Sequence, residues 1–430
     1  MFMEAGLIKK VAVLGLGYVG LPLALEFNKS GLEIWGIDTD RERIHRIKSG
    51  TSYIDDISDE IIQQAMQTNR FFVTDEYEIL KEMDAVCICV PTPLNKIQEP
   101  DLSFIIQAVD AIEPCLHQGM LVVLESTTYP GTTEEVVLPR LSKGGFCVGR
   151  DFFLAFSPER YDPGNKQFHI RNTPKVIGGI TPACTQKAKE LYQHIISEIV
   201  PVSNARTAEM VKLLENTFRA VNIALVNEMA MMCDTLGIDI WEVVDSAKTK
   251  PFGFMPFYPG PGLGGHCIPV DPVYLSWKMK TLNYTARFIE LARTINSSMP
   301  KYVVEKMADA LNKQKKSIQG SKILILGVTY KKDISDLRES PALDIISLLI
   351  KKGAETYFSD PYVSQLEVEE KILQSYPIKE GLSLFDLVVI ITDHSNYNYE
   401  EIVKQSQFVL DTRNATKNIS PPLKEKVIRL

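Results

Sequence analysis

The chain has 430 residues, 45% of them hydrophobic and 23% charged, with a formal net charge of −7. That length carries two or three domains with large cores, and the acidic balance argues against nucleic acid as the main partner, since a phosphate backbone needs clustered Lys and Arg. Seven cysteines without a repeated spacing make a poor disulfide framework and point to a reducing, cytoplasmic setting, while the lack of a CxxC pair leaves no metal site to expect.

Lys9 and Lys10 precede "VAVLGLGYVGLPLALEF". Three glycines interrupt this apolar run, no small-x-small cleavage site follows, and Glu26 returns at helical spacing, so it reads as strand, turn and helix rather than a secretory leader. No other stretch approaches a transmembrane length, and no membrane partner is expected. Within the run, Gly15, Gly17 and Gly20 form G-x-G-x-x-G directly after a strand, with Tyr18 and Val19 inside the turn. The first glycine permits the tight turn, the second lets a pyrophosphate approach the helix N-terminus, and the third lets helix and strand pack closely. The next strand, "EIWGID", ends in Asp38, 18 residues beyond Gly20. An acidic residue there binds ribose hydroxyls and repels a 2′-phosphate, so NAD is expected over NADP. Arg43 reads either as a solvated helix residue or as cover for the adenine.

"KVAVLGLG", "EIWGIDTD", "AVCICVP", "MLVVLEST" and "DFFLAFSPE" alternate with helical patterns and predict a parallel α/β sheet in a first domain over 1–203. Thr127 in "ESTTYPGT" and Glu159 in "FSPE" close apolar strands, where such sheets bind ligands. From Ala208 a helical pattern follows, with apolar residues at Val211, Leu214, Phe218, Val221 and Leu225 and a terminal Gly237. Lys212 and Asn216 lie i, i+4 on another face of it, a spacing that an ordinary solvated face would also give. The loop "FYPGPGLGGHCIPVDP" then presents Cys267 among glycines and prolines, with Asp271 four residues on. A thiol on such a loop is a candidate nucleophile; the other six cysteines read as packed, inert thiols. Helix resumes to about Lys316, completing a central domain over 204–316. "SKILILGV", "DLVVIITD" and "FVLDTR" open a second, smaller α/β domain over 317–430 without a glycine fingerprint.

Taken in order, "GLGYVG", "VPTP", "ESTTYPGT", "SPE", "KLLENTFRAVNIALVNE", "PGLGGHCIPVDP" and "YKKDISDLRESP" closely resemble the UDP-glucose/GDP-mannose dehydrogenase family over nearly the whole chain. The resemblance implies two Rossmann-like parallel-sheet domains joined by a long central helix that also forms a homodimer interface. It implies NAD in the first domain and a UDP-sugar held mainly by the second. It further implies a double oxidation of the sugar C6 alcohol using two NAD, through an aldehyde, a Cys267 thiohemiacetal and a thioester that water hydrolyses.

Roles follow from the matching positions. Lys212 and Asn216 would stabilise the alkoxide or oxyanion, and Asp271 would hold a water or assist proton transfer. Thr127 and Glu159 would position water and substrate, with Glu159 a candidate base. Thr92, Ser126 and Arg338 would lie towards NAD. Lys331 would contact substrate, and the loop with Phe257, Tyr258 and Gly264 would wrap the uridine diphosphate.

UDP-glucose members usually carry Ser before the cysteine and Lys before the aspartate; here they are His266 and Val270. The stretch is more similar to the branch acting on UDP-N-acetylhexosamines, nearest to UDP-N-acetylglucosamine 6-dehydrogenases of surface-polysaccharide pathways. UDP-N-acetylmannosamine and UDP-glucose are the alternative substrates. The rival classes are a two-electron β-hydroxyacid-type dehydrogenase, in which Cys267 is idle, and a non-catalytic nucleotide-sugar binder. Where the family often supplies an arginine from a neighbouring subunit, the chain has Lys248 and Lys250.

Overall fold

A computed structural model describes residues 8–95, 97–160, 165 and 167–430. Two compact units divide the chain: Met1–Glu215 with Val273–Tyr284, and Asn216–Pro272 with Thr285–Leu430.

The first unit is built on an eight-stranded sheet. Its strands are β1 (Lys10–Leu14), β2 (Glu33–Ile37), β3 (Phe71–Thr74), β4 (Ala85–Ile88), β5 (Leu121–Leu124), β6 (Phe153–Phe156), β7 (Lys175–Gly179) and β8 (Ile199–Pro201), in the order β3-β2-β1-β4-β5-β6-β7-β8. β4 and β5 are wholly buried, because helices cover both faces, and this is why they read as unbroken apolar runs. The two cores lie on opposite faces, one around Phe27, Ile34 and Phe71, the other around Ile88, Val122 and Phe156. The order reverses between β1 and β4, and that switch point opens a crevice at the carboxyl ends of the strands.

The five strands read from the sequence, β1, β2, β4, β5 and β6, all pair parallel, and the sheet departs from that direction at one place beyond them. β6 and β7 pair antiparallel, Ala155 with Gly179 and Phe156 with Gly178. A parallel return needs a crossover, usually a helix, and among the described residues of this connection there is only the short turn Ile170–Asn172.

The long helix spans Ala205–Leu236 and stops at Gly237, whose φ of +69° a side chain would disfavour. Its apolar spacing does not mark its buried face. Leu214, Phe218 and Leu225 are exposed, whereas Leu213, Asn216, Ala220, Ala224 and Asn227 are buried. Small and amide side chains let this face approach its neighbours closely, so hydrophobicity alone points to the wrong side. Asn216 is therefore not on a solvated face.

In the second unit, β9 (Lys322–Leu326), β10 (Glu355–Ser359), β13 (Leu387–Ile390), β14 (Val409–Asp411) and β15 (Val427–Arg429) form a parallel sheet in the order β10-β9-β13-β14-β15. β11 (Gln365–Val368) and β12 (Lys371–Gln374) form a separate two-stranded hairpin. The order reverses here between β9 and β13, so the loops after these two strands share one edge. No described helix is long and apolar enough to cross a membrane.

Candidate active site

The glycine turn after β1 fits a dinucleotide by exclusion of side chains. Gly15 has φ +86°, and a Cβ there would lie 2.6 Å from the Cys89 carbonyl oxygen. A Cβ on Gly20 would lie 1.9 Å from the Gly15 carbonyl oxygen, whereas one on Gly17 would meet nothing within 4 Å. Two glycines thus close the turn and the third leaves an open face. No side chain caps the helix Gly20–Lys29, which begins at Val19 without an acidic residue in its first turn, so its positive end suits a phosphate.

Asp38 ends this crevice and is buried. Its carboxylate accepts the Leu16 N–H at 2.7 Å and the Asp40 N–H at 2.9 Å. Arg43 pairs with it at 3.3 Å and lies 5.8 Å from the Tyr53 ring centroid. This turn fixes a buried negative charge, which suits ribose hydroxyls and opposes a 2′-phosphate. Asp38→Ala is expected to raise the KM for NAD about tenfold and to erode discrimination against NADP; steady-state kinetics with both cofactors checks it, and an unchanged ratio would remove Asp38 from the site.

Across the switch point, Thr92 is buried in the loop after β4. Ser126 follows β5 and donates to the Val90 carbonyl at 2.7 Å, tying the two loops together. Thr127 comes next, half-buried. Its loop is held from the long helix by Glu209, whose carboxylate accepts the Gly131 N–H at 2.5 Å and the Thr133 N–H at 2.9 Å. Burial pushes the Glu209 carboxyl up to about 7.

Also in the first unit, Glu159 follows β6, and its carbonyl accepts from the Lys212 ammonium at 2.5 Å. Beneath it lies a cluster that the sequence reading did not single out. Lys175, buried at the start of β7, reaches Glu125 at 2.7 Å and the Glu159 carboxylate at 3.7 Å. The Tyr192 hydroxyl donates to Glu125. Burial acts to lower the Lys175 ammonium, but the carboxylates of Glu125 and Glu159 overcome it and hold the group raised, hence charged. Burial pushes Glu125 up against the pull of Lys175. The signal for this cluster was present: Glu125 directly follows the apolar run "LVVL", and Lys175 opens the fully buried run "KVIGG". An ionisable residue in such a position needs a partner.

The second unit holds the other candidates. The Cys267 carbonyl accepts the Asp271 N–H at 2.8 Å, in a turn that leads into the helix Asp271–Thr281. Cys267 is exposed; so is Cys147, which corrects the expectation that the remaining thiols are all packed inside. Asn216 donates to the Asp271 carboxylate at 2.5 Å, and both are buried. Lys212 stands one helical turn before Asn216 on the continuous helix.

The cysteine loop is shaped by its neighbours. A Cβ on Gly264 would lie 2.5 Å from Tyr330 Cβ, and the Gly265 N–H donates to the Arg338 carbonyl at 3.0 Å. His266 is half-buried; burial, followed by the Arg338 guanidinium, lowers it, which leaves the ring neutral at neutral pH. The guanidinium of Arg338 pairs with Asp336 through Nε at 3.0 Å and Nη2 at 2.5 Å. Lys331 is half-buried in the loop after β9. Phe257 meets Phe218 edge-on at 5.7 Å, and Tyr258 stacks on Trp241 at 6.0 Å while donating to Asp245 at 2.9 Å. The expected residues therefore fall into two groups: Glu159 and Lys212 with the dinucleotide crevice in the first unit, and Asn216, Asp271 and Cys267 with the loop of Lys331 and Arg338 in the second.

Three family profiles match in succession. Residues 9–196 match the NAD binding domain of the UDP-glucose/GDP-mannose dehydrogenase family, 206–298 its central domain and 324–418 its UDP binding domain. A UDP-N-acetyl-D-glucosamine 6-dehydrogenase of Salmonella typhi is 37% identical over 392 residues, covering 90% of each chain. A UDP-N-acetyl-D-mannosamine dehydrogenase of Pyrococcus horikoshii is 36% identical over 423 residues, covering 96% of this chain and 97% of its own. A solved structure of a UDP-D-ManNAc dehydrogenase from Pyrococcus horikoshii superposes with a TM-score of 0.87 at 35% identity, over 96% of each chain.

Proposed function

Because the chain is an NAD-dependent dehydrogenase belonging to the UDP-glucose/GDP-mannose dehydrogenase family, we propose that it oxidises the C6 hydroxyl of UDP-N-acetylglucosamine to the carboxylate, a four-electron reaction through Cys267. The observation that carries this reading is the presentation of Cys267. An exposed thiol stands on a glycine-rich loop that turns into the helix beginning at Asp271, whose positive end favours negative charge, and Asp271, four residues on, pairs with the buried Asn216.

Gly15, Gly17, Gly20 and Asp38 would hold NAD, which supplies the oxidant by accepting a hydride from C6 in each oxidation. Lys212 would supply an ammonium that stabilises negative charge on the C6 oxygen, and Asn216 a neutral donor. After the first oxidation the Cys267 sulfur bonds to the aldehyde carbon, and its proton passes to the carbonyl oxygen to give a thiohemiacetal. The second oxidation leaves a thioester. Water then adds, the C–S bond breaks, and the sulfur recovers its proton as the carboxylate forms. Glu159, held by Lys175, takes the proton of the attacking water; Thr127 orients that water, and Asp271 assists proton transfer at the sulfur. Covalent capture prevents escape of the aldehyde.

His266 and Val270 support the acetamido sugar, since the neutral imidazole offers a hydrogen-bonding partner to an amide where UDP-glucose members carry Ser. Likeness to the UDP-N-acetyl-D-mannosamine dehydrogenase of Pyrococcus horikoshii favours that epimer as the second reading. The kcat/KM on UDP-N-acetylglucosamine is expected to exceed that on UDP-N-acetylmannosamine about tenfold or more, as a contact made by one epimer and lost by the other would give. The reverse order would keep the chemistry and replace the sugar.

Three further points belong to this proposal. The exposed stripe of Leu214, Phe218, Leu225 and Met232 suits pairing of two copies along the long helix. Seven cysteines that form no disulfide among the described residues suit a reducing cytoplasm. A uronic acid nucleotide is a precursor for surface polysaccharide.

A further inference from the structure

We infer that His394, acting with Asp360, is a positioning residue for the nucleotide-sugar site, because together they set the backbone of the loop 328–336 that carries Lys331 and braces the cysteine loop. This deepens the proposed function and rests on its reading that the loop takes a UDP-sugar.

His394 follows β13 and is fully buried. Its Nδ1 accepts the Asp333 N–H at 3.0 Å, so the ring proton sits on Nε2, which faces Asp360 Oδ2 at 2.9 Å. Tyr362 lies against the ring at 5.1 Å between centroids and Tyr397 at 5.8 Å, so the imidazole cannot swing.

From this pair, bonds reach along the loop. Asp360 Oδ2 accepts the Val328 N–H at 2.7 Å. Thr329 Oγ1 lies 3.3 Å from His394 Nε2 and donates to the Lys331 carbonyl at 2.9 Å. The Thr329 carbonyl accepts from Thr392 at 2.5 Å. Asp333 sits at φ +63°, a conformation a non-glycine residue keeps only when its surroundings hold it. Here the holders are the His394 bond on one side and, on the other, the Ser395 N–H and hydroxyl on the Asp333 carboxylate at 2.8 and 2.6 Å.

Between these anchors lies Tyr330. Its ring would be 2.7 Å from a Cβ on Gly265, and its side chain 2.5 Å from one on Gly264. The loop that His394 fixes is therefore also the wall against which the Cys267 loop rests. Loss of the ring releases Asp333 from Nδ1 and removes the Nε2 neighbour of Thr329, whose hydroxyl holds the Lys331 carbonyl.

The test is titration calorimetry of UDP, and separately of NAD, into the full chain carrying His394→Ala, His394→Asn or Thr329→Val. His394→Ala is expected to weaken UDP binding about tenfold, the scale of one buried donor left unmade. His394→Asn restores an acceptor close to the Nδ1 position and should recover most of the loss. Thr329→Val keeps the shape, removes the donor to Lys331, and should weaken UDP binding severalfold even where the alanine variant does not fold. NAD affinity should not move in any of them. Unchanged UDP binding in folded variants, or equal losses for UDP and NAD, would overturn the assignment. Wild-type protein that binds UDP but oxidises no UDP-N-acetylhexosamine would defeat the functional reading while leaving the effect of His394 on UDP binding measurable. Wild-type protein that does not bind UDP would overturn both.

Discussion

Cys267→Ser is expected to abolish complete turnover, lowering the rate of carboxylate formation by on the order of a thousandfold or more, as removal of a covalent nucleophile does. The serine hydroxyl fills the same space on the loop, so fold and cofactor affinity should be retained. What fails is the carbon–sulfur bond. A hydroxyl is a far weaker nucleophile than a thiolate, and an oxygen ester hydrolyses more slowly than a thioester. The variant should therefore release aldehyde or stall as an ester after a single oxidation. Product analysis with NADH absorbance separates these outcomes, and full turnover by the serine variant would remove the covalent step.

Lys212→Met is expected to lower kcat by about a hundredfold to a thousandfold, the scale found when one preorganised donor to a developing oxyanion is removed. Lys212 is half-buried and its ammonium reaches the Glu159 carbonyl. Methionine keeps the length and packing of the stem while deleting the charge. Binding of NAD and UDP should change little, so the loss should appear in kcat and kcat/KM together. A rise in KM alone would make Lys212 a binding group rather than a stabiliser of the transition state.

The parts of the chain with strong local signals were legible without coordinates. The turn with Gly15, Gly17 and Gly20 sits where a strand meets a helix, and each glycine's role follows from what a Cβ would strike. β4 and β5 announced themselves as uninterrupted apolar runs. The strands β3, β7 and β8 did not: β3 alternates buried and half-buried residues, β7 combines a lysine with two glycines, and β8 has two exposed residues of three, so none reads as a clean apolar run. The long helix misled in a physical way: its most apolar residues face outward in the single chain, and its buried face is made of Asn216, Ala220, Ala224 and Asn227. The pairing of Asn216 with Asp271, separated by 55 residues, was beyond spacing arguments; the family resemblance named both residues but not their contact. Lys175 with Glu125, and His394 with Asp360, were missed for a different reason. Lys175 opens a buried strand, Glu125 and Asp360 each directly follow a strand, and His394 lies in the loop after β13; only the fold supplies the partner that makes the burial of each tolerable.

The claim on which the rest depends is that one chain performs both oxidations through Cys267. With excess NAD and limiting UDP-N-acetylglucosamine, wild-type enzyme is predicted to form two NADH for each sugar consumed, with the uronic acid as the only product. One NADH per sugar, with an aldehyde or ketone accumulating, would contradict it and leave Cys267 without a catalytic role.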